Sequence, residues 1–231
     1  MESTPRATAQ QTAEGSVHAG VVPVVAFFRQ EAQLDRLGRF GVAASGRSHS
    51  VILFSRRPIR QLDGAAIAVT QETTTSVCLL RLILEQRYRL APASYSRTRS
   101  EDADALLLIG DEALAFARTN KTYPFEIDLA FEWWLWQHLP FVFAVWAVRK
   151  EVVTDDRKRI ESAVARALGA NSGPGLDRLA QELDGTCGMP AEAIQQYLSQ
   201  LTFRLGNQEE EGILRFRQLL EENGLIAWDP A

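Results

Sequence analysis

Short apolar runs alternate with amphipathic segments along the first two thirds of the chain. Continuous apolar runs that end at polar turns predict buried β-strands at residues 51–54, 67–69, 105–109 and 141–148. Apolar residues at helical spacing predict helices at residues 75–87, 112–118 and 128–138. Strands that alternate with helices favour an α/β fold with mostly parallel sheets.

The two ends of the chain have different patterns. After residue 150 the strand signal disappears, and three or four amphipathic segments predict a helical C-terminal segment. Residues 1–16 are rich in Ser, Thr, Ala and Gln and have no hydrophobic period. We expect them to form a flexible lead, or to be the remains of an element that lost its partners. Residues 29–39 are expected to be exposed.

Composition narrows the function classes. The 231 residues are 46% hydrophobic with a formal net charge of −4, and no Lys/Arg stripe predicts binding to nucleic acid or to an anionic membrane. The longest apolar run is too short to span a bilayer, and the start at Met1 lacks the features of a secretory signal, so a cytoplasmic location is expected. Cys78 and Cys187 have no metal-like spacing, and nucleotide and zinc motifs are missing. We therefore predict no metal and no cofactor.

An ordered set of motifs carries a family resemblance. It comprises residues 50–58 (SVILFSRRP), 62–64 (LDG), 67–70 (IAVT), 72–80 (ETTTSVCLL), 105–114 (ALLLIGDEAL), 128–129 (DL), 132–134 (EWW), 139–146 (LPFVFAVW), 212–219 (GILRFRQL) and 222–225 (ENGL). In this order the motifs resemble the chorismate dehydratases of menaquinone biosynthesis by the futalosine pathway. The resemblance extends over roughly residues 20 to 228.

The resemblance implies the two-lobed fold of type II periplasmic binding proteins, with the ligand in the cleft and two strands crossing between the lobes. The crossing strands are expected near residues 50–55 and 141–148. Lobe 1 is then formed by residues 17–55 and 142–231, and lobe 2 by residues 56–141. Members normally open with a further strand, helix and strand, including a Ser-Tyr-Leu-Asn-like segment that lines the cleft. The chain starts at about the point where those elements end, so lobe 1 is expected to be incomplete at its N-terminus.

The implied function is that of a carbon–oxygen lyase, which eliminates water from chorismate to give 3-[(1-carboxyvinyl)oxy]benzoate. The expected partner is this small dicarboxylate, and a homodimer is a possible assembly. Two alternatives stay open: a non-catalytic carboxylate-binding protein of the same fold, and an inactive truncated relative. The sister enzyme dihydroxynaphthoate synthase is disfavoured, since it usually has a His-containing segment where this chain has Ile109, Gly110 and Asp111.

One candidate anion site lies where a predicted strand leads into a helix. Thr74, Thr75 and Ser76 occupy that junction, where free N–H groups and the positive end of the helix dipole favour a carboxylate. Their hydroxyl groups add further donors. The alternative is simple N-capping by one hydroxyl, which needs no ligand.

A second anion could lie before the strand at residues 51–54. Ser48 and Ser50 are candidate substrate-binding residues there; Arg47 could bind a carboxylate and His49 could move a proton, unless this segment is only a solvated turn.

Further candidates come from single residues and from the aromatic segment. Gly110 and Asp111 are candidate cleft residues, although an Asp at this place is often a helix cap. The tryptophans near residues 133–146 are expected in the core, and Cys78 is expected to be an inert buried thiol.

Overall fold

The computed structural model describes residues 4–72, 74–98, 100 and 102–230. The strands are β1 (Ala19–Pro23), β2 (Leu34–Ala44), β3 (Val51–Ser55), β4 (Ala66–Val69), β5 (Ser94–Ser96), β6 (Ala105–Ile109), β7 (Phe125–Asp128), β8 (Phe141–Arg149) and β9 (Leu201–Arg204). The helices are α1 (Pro5–Glu14), α2 (Val24–Gln30), α3 (Thr75–Leu82), α4 (Gly110–Thr119), α5 (Leu129–Gln137), α6 (Thr154–Ala170), α7 (Pro174–Glu182), α8 (Ala191–Ser199) and α9 (Asn207–Glu222). A π-helical turn at Ile83–Arg87 extends α3.

The strands form two sheets. Sheet A has the order β1-β8-β2-β9, and sheet B has the order β5-β4-β6-β3-β7. The chain passes from sheet A to sheet B between β2 and β3, and it returns between α5 and β8. The strand β3, expected at a lobe crossing, forms its ladder with β6 and β7 in sheet B, whereas β8 lies between β1 and β2 in sheet A.

The prediction of mostly parallel sheets is wrong. Every pairing in sheet A is antiparallel, and β3 is antiparallel to both β6 and β7. Among the described strands, the parallel pairings are those of β4 with β5 and of β4 with β6. The strand–helix–strand units do give strands of equal direction, such as β1 and β2. However, β8 is inserted between those two and β3 between β6 and β7, each in the opposite direction. Each inserted strand replaces one expected parallel pairing by two antiparallel pairings, and local sequence does not encode that insertion.

Helix α3 connects the two sheets through one hydrophobic core. All its residues except Arg81 are buried, and its apolar side chains share a cluster with Val145 of sheet A, Leu107 of sheet B and Phe216 of α9. Such a helix needs apolar side chains around its whole circumference, which explains why residues 77–80 read Val-Cys-Leu-Leu. The start of α3 is thereby fixed relative to both sheets.

The N-terminal segment is a helix, which differs from the expected flexible lead. Thr4 caps α1 by accepting a hydrogen bond from Ala7 N at 3.2 Å, and Gly15 ends the helix in the left-handed conformation. The helix buries Ala9 and Thr12. Small residues suffice for that close contact, so the segment shows no strong hydrophobic period. Residues 1–3 of the expected lead lie outside the described residues.

Several strands were not predicted, among them β2 and β9. The strand β2 includes part of the segment expected to be exposed, and its side chains Leu34, Leu37 and Phe40 are buried. Gly38 and Gly41 interrupt its apolar alternation and so weaken the strand signal. The short strand β9 adds an edge to sheet A within the otherwise helical C-terminal segment. None of the described helices is long and apolar enough to cross a membrane.

We predict that Gly212→Ala destabilises the protein although it replaces a glycine inside α9. A Cβ at this position would lie 2.3 Å from the carbonyl oxygen of Pro140, in the segment by which the chain returns to sheet A. Relief of that overlap should cost roughly 1–3 kcal/mol in the free energy of unfolding. In the matched control Gly169→Ala, the new Cβ meets nothing within 4 Å. Chemical denaturation of the control should show stabilisation of about 0.5–1 kcal/mol; equal effects of the two variants would contradict the assigned contact.

Candidate functional site

A cavity of about 190 Å³ lies between sheet A and sheet B. Five of the predicted site residues line it: Ser50, Thr74, Thr75, Ser76 and Gly110. They meet because β3 runs against its neighbours. The residue before β3 therefore lies at the same edge of sheet B as the residues that follow β4 and β6, and Val51 is paired with Ile109. One wall of the cavity thus collects hydroxyl groups from three separate segments.

The facing wall is mainly apolar. It is formed by Pro23, Val42, Phe143 and Ala144 of sheet A, together with Leu201. Pro5 at the start of α1 and Glu72 of the loop before α3 also line the cavity. A flat ring could pack against the apolar side while its polar substituents face the hydroxyl groups.

The N-terminus of α3 is aimed at this cavity. Thr74 is its N-cap residue and makes no side-chain cap hydrogen bond. The hydroxyl oxygen of Thr75 accepts a hydrogen bond from Val25 N at 3.2 Å, which leaves the hydroxyl hydrogen of Thr75 to donate elsewhere. Thr75 and Ser76 are buried, so an anion bound here would be shielded from water and held by the helix dipole.

Ser50 and Gly110 are held together by a backbone contact. Gly110 N donates to the carbonyl oxygen of Ser50 at 2.7 Å. Gly110 has φ of +57°, which favours glycine, and a Cβ there would meet no atom within 4 Å. The backbone of this corner is therefore open on the cavity side.

Ser48 lies behind the cavity wall and does not line it. It is buried, and its hydroxyl group donates to the carboxylate of Asp128. That carboxylate also accepts hydrogen bonds from Ser48 N at 2.9 Å, from His49 N at 2.7 Å and from Phe131 N at 3.1 Å. Asp128 thereby joins the first crossing segment to the start of α5. Ser48 therefore supports the backbone that leads into β3.

Asp111 also lies outside the cavity lining. It is exposed in the first turn of α4, whose N-cap residue is Ile109, so the expected cap is not formed by Asp111. Its carboxylate faces the thiol of Cys187. The pKa of that thiol is raised by partial burial and by the charge of Asp111.

Arg47 and His49 line a second, larger cavity of about 370 Å³. Both side chains are exposed, and the guanidinium of Arg47 lies over the ring of Phe131, 4.4 Å from its centroid. The second cavity adjoins the first, because Tyr197 of α8 lines both. Neither Arg47 nor His49 faces the hydroxyl groups of the smaller cavity.

The interpretation of Cys78 as an inert buried thiol is confirmed, because burial raises the pKa of the thiol to about 12. The prediction that the tryptophans near residues 133–146 lie in the core is confirmed for Trp133, which is fully buried with edge-to-face contacts to Trp136, Phe141 and Phe216. Trp134, Trp136 and Trp146 are only partly buried. In the described part of the chain, no three His, Cys, Asp or Glu residues are grouped as metal ligands would be.

Tyr197 is the site residue that sequence reasoning missed. Its spacing with Ile194 places it on the apolar face of α8, which indicates a core residue. The ring does lie on that face. The phenol oxygen, however, reaches Ser50 Oγ at 3.0 Å, and the only local signal for this is one tyrosine among aliphatic residues.

We predict that Asp128→Ala lowers the free energy of unfolding by roughly 2–4 kcal/mol, because it leaves buried N–H groups without an acceptor. Asp128→Asn should cost less, since its amide oxygen still accepts. The control Asp35→Ala removes a half-exposed carboxylate paired with Arg157 and should cost under about 1 kcal/mol. Urea titration measures all three; an Asp128→Ala effect no larger than that of Asp35→Ala would contradict the role given to Asp128.

Solved structures share this architecture. A protein from Archaeoglobus fulgidus is 17% identical with a TM-score of 0.71, over 96% of this chain and 85% of its own. The periplasmic aliphatic sulphonate binding protein of Escherichia coli is 16% identical with a TM-score of 0.67, over 98% and 82%. A Candida albicans protein with the generic periplasmic binding protein fold is 11% identical with a TM-score of 0.63, over 96% and 78%. The chain therefore has a periplasmic-binding-protein-like α/β fold with two sheets.

Sequence comparison identifies the family, whereas the solved structures show only the fold. A chorismate dehydratase from Thermus thermophilus is 31% identical in an alignment that covers 89% of this chain and 80% of that enzyme. A family profile described as menaquinone biosynthesis matches residues 1–222. Because this match includes nearly the whole chain, the protein belongs to the menaquinone biosynthesis family.

Proposed function

We propose that this protein is a chorismate dehydratase, a hydro-lyase that converts chorismate to 3-[(1-carboxyvinyl)oxy]benzoate and water. The observation that carries the proposal is the cavity between the sheets, where hydroxyl groups and the N-terminus of α3 face an apolar wall. The likeness to the Thermus thermophilus enzyme supports the same reaction.

The reaction requires correct positioning of the substrate more than it requires a cofactor. Chorismate has two carboxylates and a ring hydroxyl group. When a ring C–H bond breaks, its electron pair enters the ring as the C–O bond to the hydroxyl group breaks, and the proton and the hydroxide leave together as water. The ring becomes aromatic, which favours the product. The protein has to hold two anions in the correct orientation and to assist the departing oxygen.

The proposed binding mode follows from the two walls. One carboxylate lies at the N-terminus of α3, where Thr75 and Ser76 donate hydrogen bonds. The ring packs against Phe143 and Val42, and the hydroxyl group of Ser50 faces a second polar group of the substrate. Thr74 and Gly110 complete the polar wall, while Ser48 supports it through Asp128.

The proposal also includes the compartment, the binding partners and the lobes of the enzyme. Both cysteines are free, which supports a reducing compartment and hence the cytoplasm. The partner is a free dicarboxylate, with no nucleic acid or membrane involved, and a homodimer stays a prediction. The type II arrangement with two lobes also stays a proposal. The pairing of β3 with β6 and β7 supports a boundary before residue 51, in place of the boundary after residue 55.

We expect the purified protein to consume chorismate and to release an aromatic product whose mass is that of chorismate less one water. Liquid chromatography with mass detection measures both compounds. A heat-denatured sample controls for spontaneous decay of chorismate. A folded protein that binds chorismate without forming product would favour a non-catalytic carboxylate-binding protein; one that does neither would contradict the proposal entirely.

We further expect the double substitution Thr75→Val with Ser76→Ala to weaken chorismate binding by roughly 1–3 kcal/mol, because two donors to a buried anion are lost. Isothermal titration calorimetry measures the affinity. The matched control, Thr122→Val with Ser162→Ala, makes the same chemical changes at exposed positions. Unchanged affinity in the first variant would show that the carboxylate does not bind at α3.

A further inference from the structure

A hydrogen bond between side chains connects α8 to the start of β3. The phenol of Tyr197 lies 3.0 Å from Ser50 Oγ, although the two residues are 147 positions apart. Tyr197 comes from the part of the chain that has returned to sheet A, whereas Ser50 precedes the first strand of sheet B. The bond therefore joins two segments that are distant in the sequence, at the cavity that both residues line.

The direction of this hydrogen bond follows from the second contact of Ser50. Its hydroxyl group lies 3.4 Å from the carbonyl oxygen of Ser48, which can only accept, so the hydrogen of Ser50 points to Ser48 and the Ser50 oxygen accepts from the Tyr197 phenol. That distance is long for an O–H donor, so the bond is weak and easily exchanged.

We propose that Tyr197 is a positioning residue, which occupies the acceptor side of the Ser50 hydroxyl group and so directs its hydrogen to a substrate oxygen in the cavity. This inference rests on the proposed function. A hydroxyl group that accepts one hydrogen bond becomes a better donor in the next, because successive bonds polarise each other. The weak hydrogen bond from Ser50 to Ser48 breaks when an anionic substrate oxygen binds, because a charge-assisted hydrogen bond to that oxygen is stronger.

The ring of Tyr197 has a separate role from its hydroxyl group. It lines both the smaller and the larger cavity, so it forms part of the wall between them. Tyr197→Phe keeps that wall and removes only the donor. The substitution therefore separates the effect on Ser50 from any change in the shape of the cavity.

The test is a double-mutant cycle with Tyr197→Phe and Ser50→Ala. Chorismate affinity is measured by calorimetry, and kcat and KM are measured separately. Each single substitution should weaken binding by about three- to tenfold, the cost of one hydrogen bond to a buried group. The double variant should bind no more weakly than Ser50→Ala alone, because Tyr197 acts through Ser50. Ser50→Thr keeps the hydroxyl group and should keep the sensitivity to Tyr197→Phe.

Tyr95→Phe is the matched control. It removes the phenol oxygen of Tyr95 in β5, which lies 3.3 Å from Glu85 of the π-helical turn, and it leaves the cavity lining unchanged. Its affinity for chorismate should equal that of the unaltered protein, while thermal melting reports any loss of stability in all variants.

The outcomes separate this inference from the proposed function. If the unaltered protein binds chorismate and the two single effects add, or Tyr197→Phe changes only the melting temperature, Tyr197 is merely a structural contact and the inference is overturned. If the unaltered protein neither binds nor converts chorismate, the proposed function fails, and the role of Tyr197 fails with it.

Discussion

The buried carboxylate of Asp128 holds the chain where it first passes between the sheets. It caps α5 through Phe131 N and accepts hydrogen bonds from Ser48 N and His49 N in the crossing segment. A buried carboxylate is stable only when its oxygens have such partners. Because residues 48 and 49 are fixed in this way, Ser50 begins β3 at one place, and its carbonyl oxygen fixes Gly110.

The antiparallel insertion of β3 brings the polar residues together. In sheet B the ends of β4 and β6 lie at one edge, and β3 begins at the same edge. Three segments that are distant in sequence then meet at a helix N-terminus opposite an apolar wall. This arrangement suits a cyclic ligand with anionic groups, the class of substrate proposed for this member of the menaquinone biosynthesis family.

Local sequence predicted the parts of the structure that local forces decide. The strands β3, β4, β6 and β8 and the helices α3 to α5 were predicted from apolar runs and turns, and Thr74, Thr75 and Ser76 from the strand-to-helix junction. The direction of β3 and β8 within the sheets depends on long-range pairing and was predicted wrongly. The contact of Tyr197 with Ser50 also depends on tertiary structure. Ser48 and Asp111 carry suitable groups, but their partners Asp128 and Cys187 are far away in the sequence.

The central claim is that the cavity between the sheets binds the dicarboxylate with one carboxylate at the N-terminus of α3. A crystal structure of the protein with bound 3-[(1-carboxyvinyl)oxy]benzoate tests it most directly. We expect a carboxylate within hydrogen-bonding distance of Thr75 and Ser76, the ring against Phe143, and a ligand oxygen at Ser50. A ligand in the larger cavity at Arg47 and His49, with the α3 terminus unoccupied, would contradict it.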